Sequence, residues 1–145
     1  MNKVVILGGV VVIAVAGYFG GQAAGLFGGA TGMSDADISA ALNARAAAAN
    51  AEDGQRYDDW SRLTAATVDG KTITYTGVSL LNADQIDENY LGSRTGQLGN
   101  KICNDAESRA LSQAGTTTVQ VWETADGEPI GTVTAGPAFC AEQGY

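Results

Sequence analysis

The stretch Leu63-Thr64-Ala65-Ala66-Thr67-Val68-Asp69-Gly70-Lys71-Thr72-Ile73-Thr74-Tyr75-Thr76 decides the fold. Asp69-Gly70 supplies the positive φ angles that a two-residue primed turn requires, and Ile73 and Tyr75 alternate with threonines as a half-buried strand does. A β-hairpin is therefore predicted over 63–76. Toward the C-terminus, Asp84, Asp87 and Glu88 open a helical stretch carrying Ile86, Tyr90, Leu91, Leu98 and Ile102, weakened or broken by Gly92, Gly96 and Gly99. A shorter helix is predicted from Asp105 to Gln113, capped by Asn104 and ended at Gly115. It leads into a second hairpin with arms Thr117 to Thr124 and Ile130 to Ala135 around Asp126-Gly127-Glu128. Hairpin, helices, hairpin predicts an α+β domain: an antiparallel sheet of about four strands with helices on one face.

Toward the N-terminus, Ser34 and Asp37 form a capping-box-like start, and a helix is predicted from Asp35 to about Ala51. Ile38, Leu42 and Arg45 share one stripe among alanines, which reads as a stalk or a flat packing helix ended by Glu52-Asp53-Gly54. Before it, residues 4–34 carry no charged side chain. As a helix they would reach about 46 Å, more than the roughly 30 Å hydrocarbon core of a bilayer. A transmembrane helix is predicted over 1–33. A secretory signal ending at Ala14-Val15-Ala16 is the rival reading, and length favours the retained span. Gly17, Gly21, Gly25 and Gly29 recur at every fourth position, with Gly20, Ala24 and Gly28 in the adjacent row, a face suited to close helix packing rather than a loop. Lys3 places the N-terminus in the cytoplasm, and so predicts a single-pass bacterial inner-membrane protein with a periplasmic domain. Three parts result: 1–33, the transmembrane helix; 34–54, the alanine-rich helix; and 55–145, the exported α+β domain.

Composition excludes more than it names. Sixteen acidic residues stand against eight basic ones, a formal charge of −8, so the chain repels nucleic-acid phosphates. There is no histidine, the commonest general base and transition-metal ligand, and no nucleophile elbow or phosphate loop. The carboxylates Asp58 with Asp59, Asp84 with Asp87 and Glu88, and Asp126 with Glu128 lie where turns and helix starts place acids, and read as solvated or capping groups. No enzyme, cofactor or metal site is expected. Cys103 and Cys140 in an exported domain are expected to pair, and their wide spacing suits a structural rather than a redox bond. Trp122, mid-strand, reads as core. Trp60, flanked by Asp58, Asp59, Ser61 and Arg62, reads first as core and second as a partner anchor, a role for which Tyr18 and Phe19 are also candidates.

Over residues 63–145 the pattern is Lys101-Ile102-Cys103-Asn104-Asp105, then Arg109-Ala110-Leu111, then Gly115 before a threonine-rich strand, a turn at Asp126-Gly127, and Cys140 shortly before Gly144-Tyr145. In this it resembles a family of small exported bacterial proteins of uncharacterised function. The resemblance implies the fold and a Cys103–Cys140 disulfide, and no activity. Type IV pilins share the general plan, but residues 4–29 contain no glutamate where a pilin helix carries one, and no prepilin-type leader is evident. The expectation is a non-enzymatic, single-span accessory or assembly subunit of a larger membrane complex of respiratory or photosynthetic type, docking through its glycine face on transmembrane helices or on itself. The alternatives are a membrane-tethered periplasmic binding domain and a pilin-like filament subunit.

Overall fold

The computed structural model describes residues 32–145, and in it the hairpin expected at 63–76 is present as β2 (Ser61–Asp69) and β3 (Thr72–Ser79). Val68 faces Ile73 and Ala66 faces Tyr75 across the antiparallel pair, and the turn is Gly70-Lys71 rather than the expected Asp69-Gly70: Asp69 still pairs with Thr72, and Gly70 alone takes a positive φ, +57°. β3 buries every second residue, Ile73, Tyr75, Gly77 and Ser79, so one face of the sheet is covered. A short edge strand β1 (Gln55–Asp58) precedes β2, and β4 (Thr117–Glu123) and β5 (Pro129–Ala135) form the second hairpin. The order across the sheet is β1-β2-β3-β4-β5.

This corrects the expected four-stranded antiparallel sheet, because there are five strands and β3 pairs with β4 in parallel, Ile73 opposite Thr118 and Tyr75 opposite Gln120. The cause lies in what separates the hairpins. After Ser79 the chain runs through α2 (Tyr90–Cys103) and α3 (Ala106–Gln113) before returning as β4, and such a helical crossover delivers the next strand parallel to the last. A further correction concerns the expected membrane span: among the described residues, no helix is long and apolar enough to cross a membrane. Gly17, Gly20, Gly21, Ala24, Gly25, Gly28 and Gly29, with Tyr18 and Phe19, lie outside the described residues.

The first helix, α1 (Asp35–Ala49), begins at the expected capping box, in which Ser34 Oγ accepts from the Asp37 N–H at 3.1 Å. It lays Ile38, Ala41, Leu42, Ala46 and Ala49 against β2 and β3. Helix α2 is continuous through Gly92, Gly96 and Gly99 because it packs on β5 and α3. At Gly99 the missing side chain admits Tyr145, whose hydroxyl would lie 3.2 Å from an added Cβ. Helix α3 is capped by Asp105 rather than Asn104, the Asp105 carboxylate accepting from the Ser108 N–H at 2.8 Å. The last helix, α4 (Phe139–Glu142), is bonded to the end of α2 by the Cys103–Cys140 disulfide. Trp122 is fully buried at the centre of the inner face, resting where β3 has Gly77. Trp60 is not core, for it stands 62% exposed at the β1–β2 turn.

Candidate functional site

Between the inner sheet face and helices α1, α2 and α3 lies a cavity of about 150 Å³. Its apolar lining comes mainly from Leu42, Leu63, Ile73, Leu98, Ile102 and Leu111, drawn from α1, β2, β3, α2 and α3. At the mouth stand Gln55, Arg56 and Lys101, all exposed, with Arg45 and Tyr57 deeper in. Three of the chain's eight basic side chains line this one cavity, and none of its sixteen acids does. In a chain of charge −8 that is a local inversion of sign.

The three cations differ in what satisfies them. Arg45 donates from Nη2 to Glu107 at 3.2 Å and from Nη1 to Ser108 at 3.1 Å, while its buried Nε finds no partner. Arg56 pairs with Asp59 at the surface. Lys101 has no carboxylate partner among the described residues; its Nζ sits 4.6 Å from the centroid of the Tyr57 ring, a cation–π arrangement. Tyr57 is itself 8% exposed, and its hydroxyl has no hydrogen-bond partner. Gln120, 1% exposed, adjoins that hydroxyl but uses its side-chain oxygen to accept from the Trp122 indole N–H at 3.2 Å. Burial pushes the Tyr57 phenol above its ordinary value, outweighing Gln120 and Arg94, so it remains a neutral donor.

Tyr57 is held from behind. Its ring meets Trp122 edge to face at 5.3 Å, and the Arg94 guanidinium lies 4.3 Å from the Trp122 ring, 4.6 Å from that of Tyr90 and 5.7 Å from that of Tyr57. Arg94 is buried and donates to Asp58 at 2.7 Å and to Ser61 Oγ at 3.0 Å. Burial pushes the Asp58 carboxyl up, but bonds from the Ser61 hydroxyl and the Trp60 N–H, together with Arg94, outweigh it and hold it at about 2. The site thus has a back wall of edge-to-face rings and an ion pair, and a front wall bearing uncommitted donors. It can bind and orient an anionic group.

The residues singled out from the sequence fall elsewhere. Cys103 and Cys140 form the expected bond at the foot of α2. Trp60 adjoins Leu80, 55% exposed, whose N–H donates to the Trp60 carbonyl at 2.8 Å, and the two make a small apolar tip at the end of the sheet. Among the carboxylates, Asp58 serves Arg94 and Asp87 accepts from the Asn89 N–H at 2.9 Å; Asp84, Asp126 and Glu128 are exposed. No motif in the sequence groups Tyr57, Lys101, Arg45 and Arg94. Their one sequence signal is that cations are scarce in this chain, and it could have prompted a search for where they converge.

No protein-family model matches the chain, and no curated protein matches its sequence. Solved structures do. The fold is that of small exported bacterial proteins: a protein from Pseudomonas aeruginosa described as secreted is 18% identical with a TM-score of 0.58, covering 73% of this chain and 95% of its own. Two pilotins of type 2 secretion systems match at the same TM-score of 0.58 and at 13% identity, EpsS of Vibrio vulnificus and AspS of Vibrio cholerae. They cover 73% of this chain and 90% and 94% of their own lengths respectively. The resemblance to small exported proteins with a C-terminal disulfide is thereby met at the level of fold. The expected accessory subunit of a respiratory or photosynthetic complex, single-pass in the inner membrane, is overturned by these likenesses, which run instead to a secreted protein and to pilotins.

Proposed function

We propose that this chain is a non-enzymatic binding module of the cell envelope, which holds a segment of a partner protein at the cavity between α1, α2, α3 and the sheet. The observation that carries this is the orphan Tyr57 hydroxyl beside an uncommitted Lys101 in an acid-free, cation-lined cavity. A buried donor without a partner costs stability, and one that lines a cavity, as Tyr57 does, can be satisfied by a ligand. The pilotin fold supports the same class of work, because those relatives in fold are named for a role in a secretion assembly. The exposed Trp60 and Leu80 offer a second, apolar contact for the partner.

The test is site-specific photo-crosslinking of the full chain in its native cells, with the crosslinker at Gln55 in the mouth or at Thr74 on the opposite sheet face. The expected outcome is a discrete adduct with one envelope protein from position 55 and none from 74. Equal labelling from both positions, or none from 55, would refute the placement.

A further inference from the structure

The chemistry of the cavity goes further than the statement that something binds there. We infer that the occupant is the C-terminal residue of a partner chain: an apolar side chain in the cavity, with its free carboxylate held just inside the mouth, between Lys101 at the rim and Arg45 and the Tyr57 hydroxyl deeper in. This inference rests on the binding-module reading above and specifies its ligand.

Three observations converge. The volume of about 150 Å³ is that of a cavity known to accept a benzene-sized group, so it has room for one medium side chain and no more. The lining combines six leucine and isoleucine side chains, four of them from the helices, and neutral hydroxyl and amide groups with cations near the mouth, which suits a group that is apolar at one end and anionic at the other. The donors, finally, are unspent. Tyr57 is buried and neutral with its hydroxyl unpartnered, Arg45 Nε is buried and unpartnered, and Lys101 has only a ring beneath it. An ammonium, an N–H and a phenolic O–H are what a carboxylate accepts from, whereas a cationic ligand would meet no acceptor carboxylate in the lining. A chain terminus also suits a site one residue deep, since an internal segment would have to enter and leave through the same mouth.

Binding of three short peptides to the purified full chain tests this, followed by amide and side-chain NMR. The probes are acetyl-Ala-Ala-Leu with a free carboxylate, the same peptide as its C-terminal amide, and acetyl-Ala-Glu-Ala amide, whose only carboxylate is internal. The free acid is expected to shift resonances of residues 55–57 and 101–102 and to bind at least tenfold more tightly than the amide. Lys101→Gln is expected to lose that tenfold for the acid while leaving the amide unchanged, and Tyr57→Phe to lose several-fold for the acid alone. Neither variant removes a core contact, because Lys101 is exposed and phenylalanine keeps the ring of Tyr57 on Trp122. Equal binding of acid and amide would overturn the inference, as would tighter binding of the internal glutamate peptide or shifts confined to other surfaces. If photo-crosslinking from position 55 still captures a partner while no peptide acid binds, the binding-module reading stands and the terminal carboxylate is refuted.

Discussion

At the scale of single residues, the buried hydroxyls of Tyr57 and Tyr90 both lack partners and are alike for stability, but differ for binding, since only Tyr57 lines the cavity. Removing an unsatisfied buried hydroxyl relieves its desolvation cost, so Tyr57→Phe and Tyr90→Phe are each expected to leave stability unchanged or raise it by about 0.5 kcal/mol, read by urea denaturation. Only Tyr57→Phe should weaken ligand. Arg94 behaves in the other sense. It is buried among three rings and paired with Asp58, so Arg94→Met should cost about 3 kcal/mol by stranding the carboxylate and unstacking the rings. Asp58 also gives acid sensitivity. Its pKa of about 2 in the fold lies below the ordinary 3.8, so its contribution is complete above about pH 4 and is lost as pH falls toward 2. Its side chain is a quarter exposed, and solvent screening reduces the contribution to about 1 kcal/mol. Asp58→Asn should remove that part of the slope of stability against pH between 4 and 2.

At the scale of elements, β3 is the central strand, and it meets β4 with Gly77 opposite Trp122. A Cβ at position 77 would meet the indole at 2.5 Å, so Gly77→Ala should cost about 2 kcal/mol and displace the tryptophan, visible as altered near-ultraviolet circular dichroism. This is also where reading by sequence stopped short. The alternation of Ile73 and Tyr75, the Asp-Gly turn and the Ser34 box are local signals, and the hairpin and α1 follow from them. Parallel pairing of β3 with β4 is not local, since it depends on α2 and α3 carrying the chain back. β1 spans only Gln55–Asp58, too few residues for a clear period. Gly92, Gly96 and Gly99 read as breaks because the tertiary packing that keeps α2 whole is invisible in a propensity.

For the whole molecule, the cavity was illegible for a related reason: its lining is drawn from α1, β1, β2, β3, α2, α3, β4 and β5, and no single stretch holds more than a few of its groups. What could be read was the acidity of the chain, which points away from an anion site until the few cations are seen to converge. The disulfide is the other global feature. Replacing Cys103 and Cys140 together with serine should lower stability by roughly 3 kcal/mol and the melting temperature by roughly 10–20 °C, measured by thermal denaturation. Its position matters as well as its strength. Cys103 lies in the last turn of α2, two residues beyond Lys101, and Tyr145 just past α4 donates to Asn100 at 3.2 Å, so the tail of the chain clasps the helix that carries the key ammonium. Reduction of the bond would therefore do more than lower stability: it would untie the tail from the last turn of α2, and the backbone it would loosen first, residues 100–103, is the stretch that carries Lys101.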